Sequence, residues 1–174
     1  MKVSLREIIS SDIPLIESWL EAEHVRRFWS VPATNLCKLC HPTDKDHWSA
    51  LVEFDCRAVG LVCWQHPTQE ELDDAGLFDI PATVIDIDIM IGDVTKIGRG
   101  LGTGIISLVA NIGLSNPCVP FLIAVIMKKN YASQRAFLKA GFHVDREFDD
   151  IISGQCILLV RHRPHDRLFP DMPR

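Results

Sequence analysis

The sequence predicts a mixed α+β domain in which a central, mostly antiparallel sheet is flanked by helices. Three segments carry this prediction. Residues 83–91 alternate between apolar and other side chains with a period of two, as a strand with one buried face does. Residues 98–104 are rich in glycine and lead into an apolar helical repeat. Residues 119–127 are almost continuously apolar, which is typical of a central strand that is covered on both faces.

Length and composition limit the possible classes of protein. The chain has 174 residues, enough for one domain with a substantial core, and we predict a single domain over residues 1–163 and a C-terminal tail over residues 164–174. The net charge of -5 argues against a nucleic-acid partner, because phosphate binding requires a basic face. No apolar run reaches transmembrane length, and the charged N-terminus is unlike a signal peptide. We therefore expect a cytoplasmic monomer or homodimer without a membrane partner.

The N-terminal part is predicted to contain both helices and strands. Ser10-Ser11-Asp12 offers an N-cap, and Pro14 lies in the first turn of an amphipathic helix that ends between residues 22 and 25. A second, short helix is predicted over residues 44–50, capped by Thr43 or Asp44. The predicted strands here span residues 3–7, 51–54 and 58–64, and the last two are joined by a turn at residues 55–57.

The C-terminal half continues the same alternation. An apolar helical face over residues 105–112 is ended by Pro117. A second helix is predicted over residues 131–140, with Gly141 just past its end. Residues 144–148 and 155–160 are predicted to form a final hairpin.

A cysteine cluster raises a separate hypothesis. Cys37-Lys38-Leu39-Cys40-His41 has the spacing of covalent haem attachment, and its thiols could also bind zinc. Haem attachment normally requires export, and a zinc site needs a second pair of ligands, for which only His47 and scattered histidines are available. We therefore expect no metal, no haem and six reduced cysteines.

The strand at residues 83–91 has two different faces. One face presents Ile85, Ile87, Ile89 and Ile91, and the other presents Val84, Asp86, Asp88 and Met90. Two carboxylates beside apolar neighbours favour raised pKa values, which are common in functional sites. The alternative is a solvated acidic strand face.

The glycine-rich segment is predicted to bind an anion. Backbone N–H groups at a helix N-terminus attract phosphate, and glycine allows close approach. The segment lacks the Gly-Lys-Ser/Thr of a P-loop, and its glycines at every second position differ from the dinucleotide-binding pattern. The alternative is a flexible loop whose glycines serve only turn geometry.

Two blocks together resemble the GNAT acetyltransferase superfamily. The first, Ile97-Gly98-Arg99-Gly100-Leu101-Gly102, is similar to the family's Q/R-x-x-G-x-G/A pyrophosphate loop, with Ile97 in place of Gln or Arg. The second, from Asn130 to Phe142, is similar to the family's Asn … Lys-x-Gly-Phe block. Within the superfamily the chain looks most like the aminoglycoside 6′-N-acetyltransferases, because Asp88 precedes the loop and Thr103 follows it at their spacing.

The resemblance implies a fold with splayed strands that hold acetyl-CoA, and direct attack of an amine on the acetyl thioester. Asp88 is then the expected base and ammonium anchor, although geometry could equally favour Asp86. Phe137 stands where many family members have a tyrosine that protonates the departing thiolate. The expected acetyl-CoA residues are Met90, Ile91, Ile97, Gly98, Arg99, Gly100, Leu101, Gly102, Thr103, Asn130 and Ser133. The expected acceptor residues are Trp29, Asp74, Asp79 and Asp86.

Several functional readings remain open on the sequence. The favoured acceptor is an aminoglycoside or similar polyamine, since an acidic rim attracts cations. Another GNAT reading is acetylation of a different amine, such as an N-hydroxylysine in siderophore synthesis or a protein N-terminus. A reading from another class is a CoA-binding regulator without catalysis, which Phe137 and Ile97 keep open.

Overall fold

A computed structural model describes residues 3–29, 47–151 and 153–164 of the chain. The described residues form one seven-stranded sheet with the strand order β1-β2-β3-β4-β5-β7-β6. The strands are β1 Val3–Arg6, β2 His47–Phe54, β3 Arg57–Gln65, β4 Ile85–Ile91, β5 Phe121–Met127, β6 His143–Asp150 and β7 Gly154–His162. The helices are α1 Ile13–Glu21, α2 Glu23–Arg26, α3 Gln69–Asp74, α4 Leu101–Ser115 and α5 Tyr131–Lys139, with 3₁₀ turns at Ser10–Asp12 and Val94–Lys96.

The sheet divides in the middle, between β4 and β5. All other neighbouring strands pair antiparallel, whereas β4 and β5 are parallel and pair only at Ile85↔Leu122 and Asp86↔Ile123. Beyond those two pairs the strands separate, and alternate backbone groups of residues 87–91 lie on an open edge. The predicted fold, a mostly antiparallel sheet with splayed strands, is confirmed.

The two faces of β4 enter different cores, as the alternation predicts. Ile85 and Ile87 are buried under α4 and α5 together with Leu122 of β5. On the other face, Met90 packs with Trp19 of α1 and Val25 of α2. The helices therefore cover both sides of the sheet, and only part of the acidic face of β4 is left open.

Helix α1 ends earlier than its apolar repeat suggests. Pro14 lies in its first turn as predicted, but Ala22 adopts an extended conformation (φ -65°, ψ 134°). The chain then starts the separate short helix α2. Asp12 is the N-cap of α1, but its side chain makes no cap hydrogen bond to that helix. Its carboxylate instead accepts from Arg6 at 2.7 and 2.8 Å and from the Ile9 amide, at the start of the 3₁₀ turn, at 2.9 Å.

One prediction about local structure was wrong, and one short helix was not predicted. The part of the predicted helix over residues 44–50 that the structure describes, residues 47–50, is the start of β2, and residues 43–46 lie outside the described residues. Cross-strand pairing of Trp48 with Trp64, and of Ala50 with Val62, overrides the weak helical signal. Conversely, the polar connection before β4 contains α3, which Thr68 and Glu71 begin with a reciprocal capping box.

No helix in the described part of the chain is long and apolar enough to cross a membrane. Gly141 follows α5 with φ +89°, as predicted for a residue that ends a helix in the left-handed region. Residues 165–174 of the predicted tail lie outside the described residues. The division into one domain and a tail stays a prediction.

Candidate active site

A cleft of about 1500 Å³ opens where β4 and β5 separate. Its walls come from the acidic face of β4, the ends of β2 and β3, the start of α4 and one side of α5. The acidic strand and the glycine-rich loop, the two segments predicted to be functional, therefore both line the cleft.

Asp88 lies on the floor of this cleft, opposite Cys63 of β3. Its carboxylate is open to the cleft, but protein surrounds it on its other sides. Loss of bulk water raises the pKa of Asp88 to about 6, although the nearby His47 opposes the rise. A carboxylate with such a pKa is ionised at neutral pH, yet holds a proton more tightly than an ordinary aspartate.

Asp86 lies two residues before Asp88 on the same strand face and also lines the cleft. Its Oδ1 atom is shielded from solvent and has no hydrogen-bond partner in the described part of the chain. Burial raises the pKa of Asp86 well above its usual range, and the Asp88 charge adds to this effect. The two aspartates are therefore neighbours with different surroundings, as expected for groups with different roles.

A histidine and a glutamine that the sequence analysis did not assign to the acceptor site continue this polar surface. His47 of β2 pairs with Gln65 of β3, which in turn pairs with Asp86 of β4. The Gln65 Oε1 atom accepts a hydrogen bond from Nδ1 of His47 at 2.6 Å. The second ring nitrogen of His47, Nε2, is buried without a partner among the described residues. Only the strand register brings these residues together, so no local sequence signal marks them.

The glycine-rich loop forms the opposite wall of the cleft. Gly98 and Gly100 have φ angles of +75° and +79°, a region that disfavours other residues. Gly100 is the N-cap of α4, so the amides of the next residues, Leu101 to Thr103, have no partner within the helix. An added Cβ on Gly98 or Gly100 would meet nothing within 4 Å, which leaves open space beside the loop. Free amides, a helix N-terminus and open space suit a pyrophosphate group.

Most of the predicted site residues lie around the cleft. Asn130 caps α5 by accepting a hydrogen bond from the Ser133 amide at 3.2 Å. The predicted residues that line the cleft are Trp29, Asp86, Asp88, Met90, Ile91, Ile97, Gly98, Gly100, Leu101, Gly102, Thr103, Asn130 and Ser133. The Nε1 atom of Trp29 is buried and has no hydrogen-bond partner in the described ranges.

Three predicted site residues do not line the cleft. Asp79 forms a two-pronged ion pair with Arg146 of β6, with one hydrogen bond of 2.9 Å, and this pair lowers the pKa of Asp79. Asp74 is exposed at the end of α3. Arg99 is exposed and lies outside the lining of the cleft. Of the acidic side chains in the connection before β4, Glu71 lines the cleft, whereas Asp74 and Asp79 do not.

Phe137, which stands where many family members have a tyrosine, is a core residue. Phe137 is 2% exposed and makes an edge contact with Phe142, with 5.0 Å between ring centroids. The single tyrosine of the chain, Tyr131, lies at the exposed start of α5. Phe137 has no hydroxyl, and Tyr131 is not among the residues that line the cleft.

The segment Cys37 to His41, whose spacing raised the haem or zinc hypothesis, lies outside the described residues. Within the described ranges, no group of three histidine, cysteine or acidic side chains is arranged to hold a metal ion.

The fold resembles those of solved acetyltransferases. The aminoglycoside acetyltransferase AAC(6')-Ib in complex with paromomycin and acetyl-CoA matches with a TM-score of 0.81 at 18% identity, over 99% of this chain and 100% of that one. AAC(6')-Ib with coenzyme A matches with a TM-score of 0.80 over 93% and 95% of the two chains, also at 18% identity. A chimera of the Vibrio cholerae spermidine N-acetyltransferase SpeG and hSSAT matches at 0.72 and 12% identity, over 93% and 96%. No curated protein sequence matches the chain significantly.

A sheet split beside a glycine-rich helix start, with a carboxylate in the cleft between the two, is the arrangement expected of an acetyl-CoA-dependent acyltransferase. The family model of the acetyltransferase (GNAT) domain matches residues 9–150, most of the chain. The chain therefore belongs to the GNAT acetyltransferase family. The predicted enzyme class, an acetyl-CoA-dependent N-acetyltransferase, is confirmed by this membership.

Proposed function

We propose that the enzyme acetylates a primary amine of a cationic small molecule, with the 6′-amine of an aminoglycoside as the favoured acceptor. The observation that carries the proposal is the position of Asp88, a carboxylate with a raised pKa on the floor of the cleft, between the glycine-rich loop and the polar ends of β2 and β3. The proposed setting is the cytoplasm, with the chain acting as a monomer or homodimer.

The donor side of the cleft fits acetyl-CoA. The amides of Leu101 to Thr103 would hold its pyrophosphate, and the open edge of β4 would bind the extended arm through backbone hydrogen bonds. When it is bound, acetyl-CoA supplies an activated thioester carbonyl. Negative charge on that carbonyl oxygen can be stabilised by N–H groups on the open edge of β4.

The acceptor side supplies the proton chemistry. The carboxylate of Asp88 attracts the ammonium form of the acceptor and then takes its proton, which leaves a nucleophilic amine. The amine nitrogen attacks the acetyl carbonyl carbon, a C–N bond forms, the C–S bond breaks, and the second proton of the nitrogen passes to solvent in the open cleft. Coenzyme A leaves as the thiolate, since Phe137 offers no proton; a thiol with an ordinary pKa of about 8.5 is a tolerable leaving group.

The choice of an aminoglycoside or polyamine as the acceptor is supported by the AAC(6')-Ib and SpeG structures, which share the fold with this chain. The acidic surface formed by Asp86, Asp88 and Glu71 supports a cationic acceptor of that kind. A carboxylate-bearing acceptor would be repelled by the same surface.

The test is a thiol-release assay with acetyl-CoA and a panel of kanamycin, tobramycin, spermidine and lysine derivatives. We expect turnover with a cationic amine, and a kcat/KM that falls as the pH drops through about 6, because protonated Asp88 cannot act as a base. Asp88→Asn is expected to lower kcat/KM by about 100- to 10,000-fold.

The matched control is Asp145→Asn, which removes an exposed carboxylate on β6 outside the cleft and should leave turnover unchanged. Full activity of Asp88→Asn would refute the assigned base. Tight acetyl-CoA binding without turnover on any amine would instead favour a binding protein or a different acceptor.

A further inference from the structure

The acidic face of the cleft contains more hydrogen-bond acceptor atoms than one reacting amine can use. Asp88 alone is enough to bind and deprotonate that amine. The next row across the sheet, His47 of β2, Gln65 of β3 and Asp86 of β4, lies on the same face one pleat away. All three of these residues line the cleft.

Two buried atoms in this row have no partner in the part of the chain that the structure describes. They are Oδ1 of Asp86 and Nε2 of His47. Because Gln65 Oε1 can only accept, Nδ1 of His47 carries the proton of that hydrogen bond, and in the tautomer with this single ring proton Nε2 is an acceptor. A buried acceptor without a donor is costly, so both atoms call for a hydrogen-bond donor from beyond the described residues.

The charges around the row favour a cationic donor. The carboxylates of Asp88 and Glu71 act on Asp86 from β4 and α3, and both raise its pKa, after the larger effect of burial. No arginine or lysine forms an ion pair with Asp86 or Asp88 in the described ranges. A positive charge placed there would compensate several negative ones.

We propose that His47, Gln65 and Asp86 form a second ammonium subsite, so that the enzyme selects acceptors with a second amine near the one it acetylates. Asp86 binds the second ammonium group, and His47, held by Gln65, accepts one of its hydrogen bonds. Side chains two residues apart on a strand lie roughly 7 Å apart, which sets the spacing of the two amines. This inference rests on the proposed N-acetyltransferase function and specifies its acceptor as a diamine or polyamine.

The test compares matched amines that differ only in the second charge, putrescine against n-butylamine, as acceptors of wild type, Asp86→Asn and Asp145→Asn. We expect wild type to prefer putrescine by about tenfold or more in kcat/KM, and Asp86→Asn to lose most of this preference through a higher KM for putrescine. Asp145→Asn should keep the wild-type preference. Circular dichroism and thermal melts establish that each variant is folded.

An equal loss on both amines in Asp86→Asn would overturn the subsite, because Asp86 would then act only through Asp88. A wild type without preference would overturn it too. If no amine is turned over, calorimetry with coenzyme A present separates the two proposals. Tighter binding of putrescine than of n-butylamine, abolished by Asp86→Asn, would support the subsite while the proposed reaction fails, and equal binding would refute the subsite.

Discussion

The loss of bulk water that raises the pKa of Asp88 also makes this carboxylate a source of instability. In the unfolded chain an aspartate has a pKa of about 3.9, whereas in the folded protein the pKa of Asp88 is about 6. Between these values the folded protein binds a proton that the unfolded chain has released. The contribution of Asp88 to the free energy of unfolding therefore increases as the pH falls through 6 towards 4. Above the folded pKa the carboxylate is ionised and destabilises the fold to its full extent.

Replacing Asp88 by Asn should accordingly stabilise the protein at about pH 8, by about 1 kcal/mol. The figure is smaller than the full pKa shift implies, because solvent reaches the carboxylate from the cleft. The gain should vanish near pH 4, where the wild-type residue is also neutral in the fold. Thermal melts of both proteins across this pH range measure the difference. A gain that is independent of pH would show that packing, not charge, is responsible.

Single residues also show where prediction from the sequence succeeds and where it stops. Asp88 could be found because strand alternation and the distance to the glycine-rich loop are both local features. His47 and Gln65 could not be found, since they reach Asp86 only through the register of three strands. Asp79 was assigned to the acceptor by its charge alone, and its partner Arg146 is 67 residues away in the chain.

At the scale of elements, the contact between α1 and the end of β4 depends on one glycine. A Cβ on Gly92 would lie 2.0 Å from the Trp19 ring, which is buried between the helix and the sheet. Val59 holds the backbone here through its carbonyl, which accepts from the Gly92 amide at 2.9 Å. The Trp19 side chain is buried, at 6% exposure, so its ring has little space to move away.

Gly92→Ala is therefore expected to destabilise the fold by about 1–3 kcal/mol, as overpacking typically does. Gly104→Ala is the matched control, because a Cβ there meets nothing within 4 Å and the residue lies within α4. That substitution should stabilise by about 0.5–1 kcal/mol through helix propensity. Urea unfolding of the two variants and wild type measures both effects. If Gly92→Ala were as stable as the wild type, the Trp19 ring would have repacked without strain.

Elements were predicted well where their periodicity was long, and poorly where it was short. Four isoleucines at alternate positions identify β4, and a continuous apolar run identifies β5. The start of β2 was predicted as a helix, because Trp48 and Ala50 reveal their strand only through their partners on β3. Helix α3 has just six residues, too few for an apolar repeat, and its capping box was its only local signal.

At the scale of the whole molecule, Arg163 ties the end of the last strand back to the middle of the chain. Its guanidinium donates to the carbonyls of Leu114 at 3.1 Å, Val119 at 2.6 Å and Asn116. These carbonyls end α4 and lead into β5, so one side chain supplies donors that the helix end lacks. Arg163→Met should cost about 1–3 kcal/mol, because these acceptors lose a charged donor.

Chemical denaturation reports this loss, with Arg57→Met as the control. Arg57 is exposed at the start of β3, and its replacement should change stability by less than about 0.5 kcal/mol. If the two variants were equally stable, water would have replaced the Arg163 donors without cost.

The narrow junction between β4 and β5 has a consequence for how this enzyme can evolve. The proposed acceptor groups lie on β2, β3 and β4, whereas the donor loop and α5 belong to the segments that follow β4 in the chain. Two residue pairs are all the strand pairing that joins these halves. Substitutions at His47, Gln65 or Asp86 can therefore change the choice of amine without altering the backbone that receives the acetyl donor. In the proposed enzyme, acceptor choice is set by side chains, whereas the donor is bound by backbone groups of the β4 edge and of the glycine-rich loop, which such substitutions leave in place.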